Sequence, residues 1–382
     1  MLTTGAFLVV AVWLFSGCQA EAIPVSQQAD TVRIGGVAFV QQSLTVGESP
    51  SAVAAADVDK DGHLDLVVAN AQGLHILRGD GQGRMASLGY VAAGEHPADL
   101  AFADLDGSGT LDVVVANHET DYLTLLLGDG KGGFRAAPNS PLRIVVRPHP
   151  HAVRARDLDG DGNVDLVVDH RAGEGLLILR GTGGGAFESP GMLVPVGGDP
   201  YRGMALGDIN GDGQLDLVTP NSDEIGVRLR RSGQRLEFSR APSVAAADPF
   251  AVELGDLDGD GRLDLVAAGG EQSSLVHLFR GDGQGGFRPA EGSPFQLAAG
   301  GKKIAIGDFN GDGVQDAAVT SFQSSEVLVL IGGSGSVRTS LLAGGKNPWG
   351  VVAADLNKDG KDDLVIVDSA NPDATVYLSR SR

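Results

Sequence analysis

The chain has 382 residues, 57 of them glycine, and 49 acidic side chains against 29 Lys and Arg, a formal charge of −20. It is long enough to bury a large core, and the absence of any basic stripe argues against nucleic acid as a partner. Its one cysteine, Cys18, excludes a disulfide framework and thiol chemistry in the folded part.

Residues 1–17 carry an apolar core from Ala6 to Phe15, too short to span a bilayer comfortably and followed by small residues. With Phe15-Ser16-Gly17 ahead of Cys18, the segment resembles a bacterial lipoprotein signal, which implies lipidation of Cys18. An ordinary cleaved signal is the other reading. Both predict export, with the membrane reached only through a lipid anchor. Residues 18–35 then read as a flexible tether.

From there the chain repeats. "DVDKDGHLD" at Asp57 recurs at Asp104, Asp157, Asp208, Asp256, Asp308 and Asp355, 47 to 53 residues apart. Upstream of each copy lies a short strand of small residues, such as "SAVAAA" or "GVVAA". Downstream come a buried-looking strand ("LDLVVAN"), a third ("GLHILRGD"), and a glycine-rich turn into a fourth ("GKGGFRAAPNSPLRIVV"). No helical periodicity appears beyond the signal. Seven such units predict an all-β fold, a seven-bladed β-propeller of four-stranded antiparallel blades over residues 36–382. The last unit stops after its third strand, "ATVYLSR", and the N-terminal "GGVAFVQQSLTVGESP" matches the missing fourth. That strand is expected to close the ring.

The acidic copies vary by position in a way a plain turn does not require. Position 1 is always Asp (Asp57, Asp104, Asp157, Asp208, Asp256, Asp308, Asp355), and so is position 9 (Asp65, Asp112, Asp165, Asp216, Asp264, Asp316, Asp363). Position 3 is Asp or Asn (Asp59, Asp106, Asp159, Asn210, Asp258, Asn310, Asn357). Position 5 is Asp (Asp61, Asp161, Asp212, Asp260, Asp312, Asp359) except for Ser108 in the second copy. Position 6 is always glycine, as a turn with positive φ needs, and position 7 varies freely. Oxygen donors in this pattern suit a hard, flexibly coordinated cation, so up to seven Ca²⁺ are predicted, the second loop binding most weakly. Of the 49 acids, 24 sit in these loops, which leaves the remainder of the chain slightly basic. The net charge therefore says little about partners.

At these residues the chain resembles FG-GAP or VCBS-type repeat proteins, akin to the propeller of integrin α-subunits. A weaker signal is the "GGF" or "GAF" turn before Phe134, Phe187 and Phe287. The resemblance implies calcium-stabilised, extracytoplasmic binding of a protein or glycan, without catalysis. The alternative is a propeller-fold lyase or hydrolase acting on polysaccharide.

In a four-stranded meander the acidic loops share one face. The opposite face gathers His96, His118, His149, His151 and His170, all from the second and third units, with Arg147, Arg171, Tyr201 and Arg202 close in sequence. Those nine residues form the predicted ligand patch, suited to an anionic or hydroxyl-rich group. The histidine spacing fits no standard metal signature, and no nucleophile-base constellation is legible. A monomer is expected.

Overall fold

The computed structural model describes residues 31–144, 149–170, 175–198, 200, 203–233, 236–321 and 324–380. The predicted signal, Cys18 and most of the predicted tether lie outside them. Among the described residues there is no helix, and the strands form seven small antiparallel sheets in a ring, with one further two-stranded ribbon, Gly181–Gly183 against Ala186–Phe187. The all-β, seven-bladed propeller read from the repeat is the fold observed.

Blade 1 shows the pattern. Its strands run Ala52–Ala56, Asp65–Asn70, Gly73–Gly79 and Met85–Val91, each hydrogen-bonded to the next. The first strand is made of small residues because it lines the crowded centre, where first strands of neighbouring blades touch. The second strand is buried at every position, as the near-continuous apolar run "DLVVAN" demands of a strand covered on both faces. Seven apolar clusters fill the seven clefts between adjacent blades. The core is thus distributed around the ring, each blade completing its neighbour's.

The ring closes as its ends predict. Val37–Thr45 pairs antiparallel with Asp373–Ser379, from Phe39 opposite Ser379 to Thr45 opposite Asp373, and becomes the fourth strand of blade 7. Thr31–Ile34, placed in the tether by the sequence reading, folds back on Val37–Val40 as a further outer strand, and Ile34 is fully buried against blade 6. Residues 31–34 therefore belong to the propeller and not to the tether.

The fourth strands also differ from expectation. In blade 2 the strand breaks into Phe134–Ala136 and Leu142–Arg143, both paired with Tyr122–Gly128. Blade 5 repeats this with Phe287–Pro289 and Phe295–Gln296. Prolines within these segments cannot donate to the ladder. Instead, the Ser140 hydroxyl accepts the Leu125 N–H at 3.1 Å, and Ser293 accepts that of Leu278 at 3.0 Å.

Candidate functional site

The acidic loops join first to second strands, so all seven lie at one end of the blades. Each is wound by its own carboxylates. The position-6 glycine donates its N–H to the position-1 carboxylate in every loop, at 2.7–2.9 Å. Positive φ at position 4 is met by glycine in five loops but by Lys60 and Lys358 in two, at 61° and 59°. Carboxylate oxygens of Asp57, Asp59 and Asp61 come within 4.8 Å of one another, as do those of Asp104, Asp106 and Asp112. The same holds for Asp157, Asp159 and Asp165, and for Asp256, Asp258 and Asp260. This all-oxygen donor set fits a hard cation such as Ca²⁺.

Position 9 has a second task that the sequence reading did not assign. Its carboxylate is buried in all seven blades. One oxygen accepts the backbone N–H of position 2 at 2.8–3.0 Å. The other accepts an N–H from the end of the third strand, at 2.6–3.0 Å. The side chain thus clamps the loop to the third strand whether or not a cation is present. Burial pushes Asp65 and Asp216 up to about 6, and Asp316 and Asp363 up to about 7. It also raises Asp112, Asp165 and Asp264.

At the other end, where the first strands begin, a cavity of about 610 Å³ opens over the channel. Its rim is held by asparagines that end the second strands. Asn70 donates its amide to the Val46 carbonyl at 2.7 Å, and Asn117 donates to Ala93 and Glu95 at 2.7 and 2.9 Å. The recurrent "VVAN" was the signal for these residues, and the sequence reading passed over it. The cavity draws His96 and His118 from blade 2, His151 from blade 3, Phe250 from blade 5, Lys302 and Lys303 from blade 6, and Trp349 from blade 7. Lys302 is 2% exposed, with Nζ 3.3 Å from the Trp349 ring centroid and 5.1 Å from that of Phe250.

Beside the cavity an ion network crosses the channel. Arg154 of blade 3 donates to Asp99 of blade 2 and Glu253 of blade 5, both at 3.0 Å, and Lys303 of blade 6 reaches Asp99 at 3.3 Å. Burial works against the charge on Arg154, but Glu253 and Asp99 outweigh it and hold its pKa above the ordinary value. Burial raises Glu253. Arg154 therefore joins three blades across the axis, and Lys303 ties in a fourth through Asp99.

Of the predicted patch, the structure brings His96, His118 and His151 to the cavity, with His149 against the last two. His170 ends a strand of blade 3, and its side chain is not among those described. Arg147, Arg171, Tyr201 and Arg202 lie outside the described residues. Phe250, Lys302, Lys303 and Trp349 were not placed in the predicted patch, although Phe250, Lys302 and Trp349 stand at the same place in their repeats, near the start of the first strand.

A family model of the FG-GAP-like repeat matches residues 57–115, 104–168 and 256–319. No curated protein matches. Among solved structures, BBS1N in complex with ARL6DN is similar at 13% identity and a TM-score of 0.59, over 88% of this chain and 94% of that one. A putative 6-phosphogluconolactonase from Bacteroides uniformis shares 13% identity at a TM-score of 0.59, covering 84% of this chain and 90% of the other. An Agrocybe aegerita lectin, described as recognising non-reducing terminal N-acetylglucosamine, shares 19% at a TM-score of 0.50, over 86% of each chain. At these identities the likenesses show the fold alone. The chain is a seven-bladed β-propeller that carries FG-GAP-like repeats.

Proposed function

We propose that the protein is an exported, calcium-stabilised propeller acting as a non-catalytic binding module, which holds a glycan or protein group at the channel mouth opposite the acidic loops. The cavity carries this reading. Lys302, Lys303 and three histidines converge there in a chain of charge −20, and its volume of about 610 Å³ is in the range of small-ligand sites. Cations, donors and one indole suit an anionic or hydroxyl-rich group. Solved propellers of this shape include one in complex with a protein and one that recognises a sugar, which is compatible with such a role. The converging loop oxygens support calcium, which would brace the far end of the blades.

The test is a glycan array probed with the calcium-loaded protein, with acidic glycans expected among the hits, followed by variants measured against the best hit. Replacing His96 by Ala and Lys303 by Gln together should weaken binding at least about tenfold, with a modest fall in melting from the lost Lys303–Asp99 pair. Replacing Asp256 and Asp260 by Asn should lower melting and leave binding intact. Binding that survives the first pair unchanged refutes the assignment.

A further inference from the structure

Three imidazoles meet at the edge of the cavity from two neighbouring blades. His118 follows the second strand of blade 2, Asp112–Asn117, and its N–H is fixed to the His96 carbonyl at 2.8 Å. His149 and His151 precede the first strand of blade 3, Val153–Arg156. The ring centroids lie 4.3 Å (His118 to His149), 4.4 Å (His118 to His151) and 4.5 Å (His149 to His151) apart. One ring nitrogen from each comes within 4.8 Å of the other two.

We propose that His118, His149 and His151 bind a divalent transition metal of the zinc–copper class, with a coordination position left for a cavity ligand. Ring orientation is the first reason. Imidazole lone pairs lie in the ring plane, so stacked rings cannot aim them at one point. Elsewhere in this molecule histidines do stack, His75 on Tyr90 at 16° and His277 on Phe279 at 6°. These three are instead turned by 43°, 46° and 88° to one another. Tetrahedral zinc at about 2.05 Å from each nitrogen would set them roughly 3.3 Å apart, so each pair closes by at most about 1.5 Å.

The second reason is the support behind His151. Asp169 is buried and accepts the backbone N–H groups of His151 and Ala152 at 2.8 and 2.9 Å, and its other oxygen stands 3.6 Å from His151 Nδ1. A carboxylate behind a histidine fixes the ring and balances cationic charge, as in metal sites generally, and leaves Nε2 for the metal. The third is backbone strain. His149 is held at a φ of 149°, which side-chain-bearing residues rarely adopt and which tends to persist where function requires it. Three neutral nitrogens without thiolate or carboxylate favour zinc, copper or nickel over calcium, so this site and the acidic loops would not compete for one ion. His118 and His151 both line the cavity, so an open coordination position there could take a ligand oxygen.

This inference does not rest on the glycan or protein reading, and its test uses metal alone. The calcium-saturated full chain is titrated with ZnCl₂ by calorimetry and with CoCl₂ by visible absorption. One saturable equivalent is expected, with cobalt absorption of the low-coordinate type. Replacing His118 and His149 together by Ala should weaken zinc at least about a hundredfold and abolish that absorption. His149→Ala alone, a milder change, should weaken it less, and calcium-dependent melting should be unchanged in both variants. A wild-type chain that takes up no zinc overturns the proposal. So does a double variant that binds zinc as tightly as wild type.

Discussion

Replacing Asp316 by Ala separates the clamp from the ligand role of position 9. The Asp316 carboxylate is fully buried and accepts N–H groups from Phe309 at 3.0 Å and Gly332 at 2.7 Å. Truncation leaves both donors buried and unsatisfied, at roughly 1–3 kcal/mol each, so about 4 kcal/mol in all. Spread over the unfolding entropy of some 350 ordered residues, that is a fall of roughly 5 °C in melting temperature. The fall should appear in EGTA as well as in calcium, because the donors belong to the chain. Asp312 is exposed in the same loop and accepts only the Val314 N–H, so Asp312→Ala should matter chiefly when calcium is present. Burial adds a pH signature in EGTA. Asp316 titrates near 7 in the folded chain against 3.8 for the free side chain, so between those values the native state holds a proton the unfolded state has lost. Its contribution is complete below about 4 and is lost as pH rises to about 7, at up to about 1.4 kcal/mol per unit. Asp316→Asn should flatten that slope. An Asp316→Ala chain that melts with wild type in EGTA and below it only in calcium would refute the clamp.

Calcium itself is checked by melting the chain with and without chelator, where saturating metal should add roughly 4 kcal/mol per site at a thousandfold excess over Kd. An unchanged transition with no bound metal refutes it. Deleting residues 31–46 uncovers the Asp373–Ser379 edge and empties part of two interblade clusters, so size-exclusion chromatography should show aggregation, or melting should fall sharply. His75 is 3% exposed, and burial lowers its pKa. Its contribution is present above about 6.5 and is lost as pH falls below it, so His75→Gln should reduce the acid-side slope of stability measured from pH 6.5 to 5.5.

The architecture was legible because it repeats. Seven copies of one pattern average out local ambiguity, and the absent last strand pointed to its substitute at the other end of the chain. What resisted reading depends on contacts made across the ring. Only the closed ring brings Arg154 to Glu253 and Asp99. Lys302 and Trp349 are distant in sequence from the histidines that share their cavity. The position-9 aspartate was assigned to a cation because a turn needs no fourth carboxylate; it also accepts an N–H from position 2 of its own loop and one from the end of the third strand, and no spacing within the loop reveals the second. The broken fourth strands were written in their prolines, but their pairing through a serine hydroxyl was not.

By carboxylate count loops 2, 4, 6 and 7 tie at three each, and the second is set apart only by its loss at position 5, where the Ser108 hydroxyl contacts Thr110 at 2.7 Å. The structure adds a second criterion, since several loops already hold a cation from the chain. The residue just before the clamp's third-strand donor is arginine in blades 1, 3 and 5. Arg180 pairs with both Asp159 and Asp161, and Arg280 stands 2.6 Å from Asp264 and 3.5 Å from Asp258. Arg78 keeps further off, 4.0 Å from Asp59, and in blade 7 Lys361 reaches Asp359 at 3.4 Å. Among the described residues, no ion pair engages the loop carboxylates of blades 4 and 6. A guanidinium on the ligating oxygens must be displaced before calcium can enter, so loops 208–216 and 308–316 should fill at lower calcium than loops 157–165 and 256–264. Hydrogen exchange followed across a calcium titration resolves the loops one by one, and Arg180→Leu should move the blade 3 loop toward the early group. Protection that arises first in blades 3 and 5, or an Arg180→Leu loop that fills no sooner, would show that the arginines assist the metal rather than stand in for it.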